Sequence, residues 1–437
     1  AHDFKPLYIV PKTKTKVIAE LKKLIKEADS LLLATDEDRE GASISWHLLE
    51  LLKPKVPVHR LVFHEITKHA IEAALAKPRS LDENLVRAQE TRRILDRLVG
   101  YTVSPVLWKK IAFGLSAGQV QSAVLKAIVD RERSRMRFVK ASYWDVDATL
   151  GETTEPFDAT LVTTKGQRIA SGKDFDEETG VLKPKVEAVL LDEDRAKAIA
   201  AEVQTQRWSV TDVNEKPVTR RPPPPFITST LQQEANRKLG LSSKEAMKLA
   251  QGLYERGYIT YMRTDSTTLS PEALQNIRVM IGSRFGKEFL PDGPRSYHSS
   301  TKGAQEAHEA IRPSLTFTAP HETDLAGTER DLYELIWMRT LASQMEDAKQ
   351  LQVAVTFTVG EHTFQANGLR ILFAGFLRAY VEGSEDTEQA LLDKERLLPS
   401  LTIGQIVTCQ KAEAIGHETK PPARFTEASL IQFMEKE

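Results

Sequence analysis

The chain has 437 residues, of which 41% are hydrophobic and 28% are charged, so it is long enough for two to four domains with ordinary cores. Lys plus Arg (60) nearly balances Asp plus Glu (61), which excludes a basic coat over the whole surface and requires any anion site to be local. The single cysteine, Cys409, excludes an internal disulfide framework and a zinc ribbon. No apolar run approaches the ~18 residues of a membrane span, and the first residues lack a signal-peptide pattern. We therefore predict a soluble protein of a reducing compartment.

The first 81 residues have the pattern of an α/β unit. Val17, Leu21 and Leu24 recur at helical spacing, and the stretch SLLLA that follows is a candidate buried strand. GASISWHLLELL resumes the helical period, and HRLVFHEI is a second strand candidate. Alternating helices and strands predict a parallel sheet.

The rest of the chain alternates between helical and β-rich blocks. Residues from about 82 to 138 have helical periodicity, whereas 140–215 and again 355–366 alternate as strands do. The proline run RRPPPPF (220–226) marks a boundary, because prolines cannot continue a sheet. Since the region that follows is helical, we predict one β-rich domain split by a helical insertion.

An acidic turn follows the first strand candidate. Asp36, Asp38 and Glu40 are spaced by two residues, so an extended backbone would place all three on one side. Ligands bind at the carboxyl ends of parallel strands, and Mg²⁺ usually takes one or two carboxylates together with water and phosphate. The trio therefore favours a metal site, and the alternative is a solvated acidic turn.

An arginine-rich stretch, ETRRILDRLVGY, lies in the first helical block. Arg93, Arg97 and Tyr101 are four residues apart and share a helix face, with Arg92 and Asp96 beside them. Guanidinium groups suit phosphate, so the face is a candidate phosphate-binding surface, and the alternative is a salt-bridged surface helix. The residues expected on the buried side are Ile94, Leu95, Leu98 and Val99.

The stretch GLSAGQVQS follows this helix. Ser116 and Gln119 have the spacing of a capping box, which predicts a new helix whose free backbone N–H groups could bind a phosphate. Trp108, upstream, could stack on a base, although a lone Trp is more often partly buried in a core.

Two tyrosines lie in YITYMRTDS, after a helix with a Ser242–Glu245 capping box. Gly257 is the expected helix stop, and an extended segment after it would place Tyr261 on the same side as Arg263 and Asp265. Tyr258, nearer the helix end, is better placed for packing.

Tyr261 is thus the candidate nucleophile of the pair. Only about one tyrosine in a thousand is ionised at pH 7, and closing that gap costs roughly 4 kcal/mol. Arg263 could supply much of this by steadying the phenolate and a phosphate under attack. The alternative is a packed strand residue.

A last motif is AQEAHEAIRP. His308 and Arg312 are four residues apart on a predicted short helix ended by Pro313, and together they could hold one phosphate. The alternative is a capped surface helix.

Taken together, the motifs resemble those of the type IA DNA topoisomerases. LATDEDREG, RRILDRLVGYTVSPVLWKKI, GLSAGQVQS, PPFITSTLQQEA, GYITYMRTDS and GAQEAHEAIRPS match in order over nearly the whole chain. The form ITYMRTDS favours the bacterial topoisomerase I branch over topoisomerase III or reverse gyrase.

The resemblance implies a multidomain α/β plus α plus β fold, a toroidal clamp with a Toprim domain, helical domains and a β-rich arch. The implied limits are an incomplete Toprim domain at 1–81, a helical single-strand-binding domain at 82–137 continued at 421–437, the arch at 138–220 and 347–420, and a helical gate domain at 221–346.

The resemblance also implies the chemistry. Tyr261 attacks single-stranded DNA and becomes linked to a 5′ phosphate, so that breakage, strand passage and rejoining relax negative supercoils without ATP. Arg263, Glu40 and His308 complete the catalytic set, and Asp36, Asp38 and Glu40 hold Mg²⁺. The implied DNA-binding residues are Arg92, Arg93, Asp96, Arg97, Tyr101, Trp108, Ser116, Ala117, Gly118, Gln119, Val120, Gln121 and Arg263. The implied setting is a cytoplasmic, nucleoid-associated monomer with no membrane contact.

Three departures from the family pattern stand out. Gln119 replaces a basic residue, the first Toprim strand with its glutamate and lysine is not found, and the chain stops within a predicted helix, so we expect a fragment. Two other classes compete with this interpretation. A metal-dependent nuclease or primase would use the acidic turn but leave YITYMRTDS idle, and a non-catalytic single-strand clamp would use only the arginine helix.

Overall fold

The computed structural model describes residue 4 and residues 6–152, 156–297, 309–381, 395 and 397–436. Its helices are α1 (Thr15–Leu24), α2 (Arg39–Leu52), α3 (Lys68–Ala76), α4 (Glu83–Lys110), α5 (Gln119–Arg137), α6 (Glu193–Gln204), α7 (Thr228–Leu239), α8 (Ser243–Glu255), α9 (Pro271–Arg284), α10 (Gly327–Ser343) and α11 (Glu427–Lys436). Its strands are β1 (Leu31–Leu33), β2 (Val58–Arg60), β3 (Ser142–Leu150), β4 (Phe157–Thr164), β5 (Gln167–Arg168), β6 (Trp208–Arg220), β7 (Ala348–Val359), β8 (His362–Phe373), β9 (Ile406–Val407) and β10 (Cys409–Glu418). Among the described helices, none is both long and apolar enough to span a lipid bilayer.

The N-terminal unit has the predicted α/β order. Strands β1 and β2 pair in parallel, with Leu31 opposite Val58 and Leu33 opposite Arg60. Helix α2 begins directly after the acidic turn, with Asp38 as its N-cap residue. The predicted parallel pair is therefore confirmed, although β2 ends at Arg60 and the rest of HRLVFHEI leaves the sheet.

The arginine-rich stretch lies on α4, which packs against α2. The expected buried side is wrong: Leu95, Leu98 and Val99 are 49%, 43% and 37% exposed, and Ile94 is only partly buried. Much of this side is therefore open to solvent in the described part of the chain.

The predicted capping box at Ser116 is also wrong. Helix α5 begins at Gln119 with Gly118 as its N-cap, and among the described residues no side chain makes a capping hydrogen bond to it. Ser116 instead accepts a hydrogen bond from Gln121 Nε2, at 2.9 Å from Oγ. The two side chains therefore tie the loop to the first turn of α5.

The two β-rich blocks form one sheet. Its order is β10–β3–β4–β8–β7–β6–β9, with β5 paired to β4. One buried cluster lies on this sheet, where Trp208 packs against Phe364 with ring centroids 4.6 Å apart, and α6 packs across β3 and β10. Arg220 pairs with Ala348, so the helical region between them leaves and re-enters the sheet at adjacent positions.

The inserted region has its own core, built from α7 to α10. Its largest fully buried side chains include Phe226, Leu253, Tyr333 and Trp337. The hydrogen bonds of the Ser242–Glu245 capping box are present, which confirms the predicted start of α8.

The segment after Gly257 lacks the expected alternation between a buried and an exposed side. Within the part of the chain that the structure describes, this segment forms one isolated bridge, between Ile259 and Pro313, and Thr260, Tyr261 and Met262 are all buried. The predicted alternation fails because the segment lies between the inserted core and the N-terminal unit, so that both of its sides are covered.

Candidate active site

The acidic turn is stabilised by the N-terminus of α2, which begins within it. Asp38 Oδ1 accepts a hydrogen bond from the Gly41 amide at 2.8 Å, as an N-cap does. A Cβ at Gly41 would lie 2.0 Å from the Asp36 carbonyl oxygen, so no larger residue fits against this turn. The backbone of the turn is therefore fixed before any partner approaches.

Arg60 is the main internal support of this turn. It is 5% exposed and donates to four carbonyl oxygens, those of Leu33, Thr35, Leu61 and Asp36, at distances from 2.6 to 3.0 Å. Sequence reasoning missed it, although a charged residue inside the apolar strand candidate HRLVFHEI is the available signal.

The three acidic residues do not all lie on extended backbone. Glu40 lies in the first turn of α2, where the extended spacing no longer applies, and its side chain is 64% exposed. Burial and the neighbouring carboxylate of Asp38 raise the pKa of Asp36, and the charges of Arg263 and Arg60 offset part of this. The negative charge of Asp38 therefore acts on Asp36, two residues before it.

Tyr261 meets this turn directly. Its hydroxyl donates to Asp38 Oδ2 at 2.7 Å, across 223 positions of sequence, and the residue is only 3% exposed. Its amide donates to the His64 carbonyl at 2.8 Å, and the Tyr254 ring packs edge-on at 5.2 Å. Ring, hydroxyl and backbone are therefore all fixed.

The environment keeps Tyr261 protonated. Burial, then the hydrogen bond to Asp38 and the charges of Asp38 and Asp36, raise the pKa of Tyr261 well above its ordinary value, and Arg263 lowers it only in part. In this state burial and two carboxylates oppose one guanidinium, and the expectation that Arg263 supplies much of the activation stays a prediction.

Arg263 is engaged with the same turn. Its Nη1 lies 2.7 Å from Glu40 Oε2, in an ion pair whose side chains are 53% and 64% exposed. The two motifs thus meet through two parallel contacts, Tyr261 with Asp38 and Arg263 with Glu40.

Tyr258 lies away from the acidic turn. Its hydroxyl donates to Asp324, and its ring packs edge-on against Tyr333 at 5.8 Å. Within the described residues, Tyr261 is the one of the two tyrosines whose hydroxyl contacts the acidic turn.

The predicted DNA-binding residues on α4 are exposed. Arg92, Arg93, Asp96 and Arg97 all face solvent, and Tyr101 is 77% exposed. Arg93 lies over the ring of Tyr8, 5.8 Å from its centroid. Because α4 packs on α2, this face and the acidic turn belong to one unit.

The loop after α4 is more tightly bonded than expected. Trp108 is 42% exposed, and its indole N–H donates to the Leu115 carbonyl at 2.6 Å. The amides of Ala117 and Gly118 already donate to Ser104 and Ser122, at 3.0 and 3.2 Å. Gln119 and Val120 are the exposed residues that begin α5.

The expected helix at AQEAHEAIRP is partly outside the described residues, and His308 lies there. Arg312 is not helical, because Ile311 and Pro313 on either side form bridges to Phe226 and Ile259. It is 3% exposed and paired with two glutamates, so it is not available for the phosphate that the motif suggested.

The tyrosine and carboxylate motifs converge at one site, and comparison with known proteins identifies the family. A family model described as DNA topoisomerase matches residues 80–437, and a Toprim domain model matches residues 3–66. The chain is a member of the DNA topoisomerase family.

Relatives and a solved structure agree with this assignment. DNA topoisomerase 1 of Synechococcus elongatus is 57% identical over 437 residues, which are 100% of this chain and 50% of that protein. DNA topoisomerase 1 of Streptomyces coelicolor is 52% identical over 448 residues, covering 100% of this chain and 47% of that protein. The full-length topoisomerase I of Thermotoga maritima superposes with a TM-score of 0.80 at 35% identity, covering 100% of this chain and 68% of that one. The predicted type IA multidomain fold is confirmed, and this topoisomerase chain spans about half the length of the curated relatives it matches.

Proposed function

We propose that this chain breaks and rejoins single-stranded DNA through Tyr261, and that it does so in the relaxation of negatively supercoiled DNA without ATP. The observation that carries the proposal is the 2.7 Å contact between the Tyr261 hydroxyl and Asp38. It joins the nucleophile motif to the Toprim carboxylates, and neither a nuclease nor a passive clamp requires that contact.

In the proposed reaction, Tyr261 Oη attacks the phosphorus of a DNA phosphodiester. The new bond joins tyrosine oxygen to the 5′ phosphate, and the bond to the 3′ oxygen breaks. The phenolic proton leaves toward Asp38, its hydrogen-bond partner, and the 3′ oxygen takes a proton from water. The phosphoester is retained in the covalent link, so attack by the 3′ hydroxyl can reseal the strand without a nucleotide cofactor.

Arg263 is the proposed electrostatic partner of the attacked phosphate. In the structure it pairs with Glu40 at the exposed edge of the site, where an incoming phosphate could replace the carboxylate. Arginine suits this role because its planar donors match phosphate oxygens. His308 remains a proposed phosphate contact.

A divalent cation fits the carboxylates only in part. Within the described residues, no three His, Cys, Asp or Glu side chains converge as a metal-binding cluster. Asp36 and Asp38 are nevertheless close enough for the charge of Asp38 to raise the pKa of Asp36, and Mg²⁺ usually uses one or two carboxylates. We propose that these two residues hold it, with Glu40 joining when Arg263 leaves. When bound, Mg²⁺ supplies positive charge to position the phosphate and 3′ oxygen for resealing.

The exposed face of α4 is the proposed path of the single strand toward the site. Arg92, Arg93, Arg97, Tyr101 and Trp108 would contact phosphates and bases, in keeping with their exposure. The loop residues from Ser116 to Gln121 and Asp96 complete this proposed surface. The four domain limits given by the resemblance, a monomeric state and a cytoplasmic, nucleoid-associated setting remain predictions.

The test is covalent capture of a labelled single-stranded oligonucleotide. After a denaturing quench, the chain should carry the oligonucleotide on its 5′ phosphate, and Tyr261→Phe should abolish the adduct while preserving strand binding. Tyr258→Phe is the matched control, because that hydroxyl is bonded to Asp324 outside the site, and it should retain the adduct. Free ends without adduct would indicate a nuclease, and an adduct in Tyr261→Phe would refute the assignment.

A further inference from the structure

A second set of contacts joins the N-terminal unit to the tyrosine segment, beside the active-site pair. It is formed by residues 64–67, here called the docking segment, which follow β2 and contact Gly257, Tyr261, Arg312 and Leu315. The His64 carbonyl accepts the Tyr261 amide, and Ile66 packs against the inserted core. A Cβ at Gly257 would lie 2.5 Å from the Ile66 carbonyl oxygen, so the two backbones are in close contact.

Glu65 is the charged centre of this interface. It is 2% exposed, and Oε2 accepts from Arg312 Nη1 at 2.8 Å and from the Leu315 amide at 3.2 Å. Its other oxygen accepts from Thr67, on its own side of the interface, at 3.0 Å. Every named bond of its carboxylate except the one to Thr67 therefore crosses between the two units.

Arg312 also pairs with a second carboxylate, which lies on its own side of the interface. Glu309 lies three residues away on the same segment, and its carboxylate accepts from Arg312 Nε at 2.6 Å. If the two units separate, Glu309 stays with Arg312 and Glu65 does not. Arg312 is therefore paired with Glu65 only while the interface is closed, whereas Glu309 can stay paired with it in both states.

We propose that Glu65 is a positioning residue that holds Tyr261 at Asp38 through Arg312, and that Glu309 keeps Arg312 paired when the interface opens. This inference deepens the proposed function and rests on it for the role of opening, since a strand can pass only if the tyrosine and the carboxylates part. Removing one partner of a buried ion pair leaves an uncompensated charge. Substitution of Glu65 should therefore favour opening, whereas substitution of Glu309 should not, because the open state depends on Glu309 alone to pair Arg312.

Hydrogen exchange of the Tyr261 amide measures this opening, because that amide donates to His64 across the interface. Glu65→Gln should speed its exchange on the order of tenfold or more, because only the closed state loses a charge contact. Glu309→Gln is the matched control: it should leave the rate unchanged or lower it, since the open state then loses its pairing. The Ile311 amide, bonded to Phe226 within the inserted core, should keep its wild-type rate in both variants.

Several results would overturn the proposal. These are a wild-type Tyr261 rate in Glu65→Gln, a similar acceleration in both variants, or equal acceleration of the Ile311 amide, which would indicate general destabilisation. If Glu65→Gln does not fold, Glu65→Asp replaces it, and its shorter charged side chain should give a smaller acceleration. No acceleration there would also refute the proposal.

A DNA readout separates this inference from the proposed function. With the oligonucleotide adduct, Glu65→Gln should reseal more slowly than the wild-type chain, and Glu309→Gln at least as fast as the wild-type chain. Slower resealing in both variants would contradict the different roles of the two glutamates. If the wild-type chain forms no adduct, the proposed function fails, while the exchange experiment, which uses no DNA, still decides the role of Glu65.

Discussion

The tyrosine site and the arginine face of α4 were both suggested by motifs, yet they are built differently. At the tyrosine site, Tyr261 and Asp38 are joined across the sequence and fixed by buried backbone contacts. On α4, Arg93, Arg97 and Tyr101 are exposed, so they are free to follow a flexible ligand. The proposed reacting groups are therefore preorganised, whereas the proposed strand-binding groups are adaptable. The predictions below test that contrast.

The largest expected effect is on the internal support of the acidic turn. Arg60→Met should remove the donor of four carbonyl oxygens and cost about 3 kcal/mol of local stability. Hydrogen exchange over residues 31–41 should then accelerate on the order of 100-fold. Arg79→Met is the control, because Arg79 pairs with Arg60 through its backbone while its side chain is exposed. Equal effects in the two variants would show that the turn does not depend on the Arg60 side chain.

Sequence reasoning predicted the elements better than it predicted the contacts. The β1–β2 pair, the shared sheet and the start of α8 follow from local periodicity and capping, and they are confirmed. The buried side assigned to α4 and the alternation expected after Gly257 are wrong, because exposure there depends on which elements pack together. Arg60 and Glu65 were missed for the same reason: their partners are distant in sequence.

The second prediction concerns the pKa of Tyr261. Asp38→Asn removes a negative hydrogen-bond acceptor that favours the phenol, so this pKa should fall by about one unit or more, while burial keeps it above the ordinary value of about 10. The measurement is alkaline absorbance titration, with each chain compared with its own Tyr261→Phe counterpart. An unchanged or higher pKa would contradict the role given to Asp38.

The raised pKa of Tyr261 also sets how the stability of the folded chain changes with pH. Because the pKa of Tyr261 is raised in the folded chain, its contribution is present below about pH 10, where unfolded tyrosine is protonated, and is lost as pH rises toward the folded value. The wild-type chain should therefore lose more stability above pH 10 than the Tyr261→Phe variant. Denaturant midpoints measured from pH 8 to 11 should diverge in that order, and parallel curves would argue against the raised pKa.

The third prediction addresses the exposed face. Replacing Arg93 and Arg97 with Ala should weaken single-strand binding several-fold for all sequences alike and reduce the salt slope by about 1.4, since each phosphate contact contributes about 0.7. The control replaces Arg195 and Lys197 on α6, which changes the net charge equally. Fluorescence anisotropy across a salt series is the measurement. A sequence-selective loss, or an equal loss in the control, would count against the proposed surface.

The smallest expected effect is on the stability given by the Arg263–Glu40 pair. Both side chains are more than half exposed, at 53% and 64%, so solvent screens their attraction. Arg263→Gln should therefore change the free energy of unfolding by less than about 0.5 kcal/mol. Its covalent adduct formation should nevertheless fall markedly, because the proposed phosphate partner is lost while Tyr261 keeps its contact with Asp38. Glu40→Gln breaks the same pair but retains the arginine. Its free energy of unfolding should match that of Arg263→Gln, and without Mg²⁺ it should form more adduct than Arg263→Gln. If Arg263→Gln instead lost several kcal/mol, the exposed edge would be a structural part of the site, and its contrast with the buried tyrosine contact would fail.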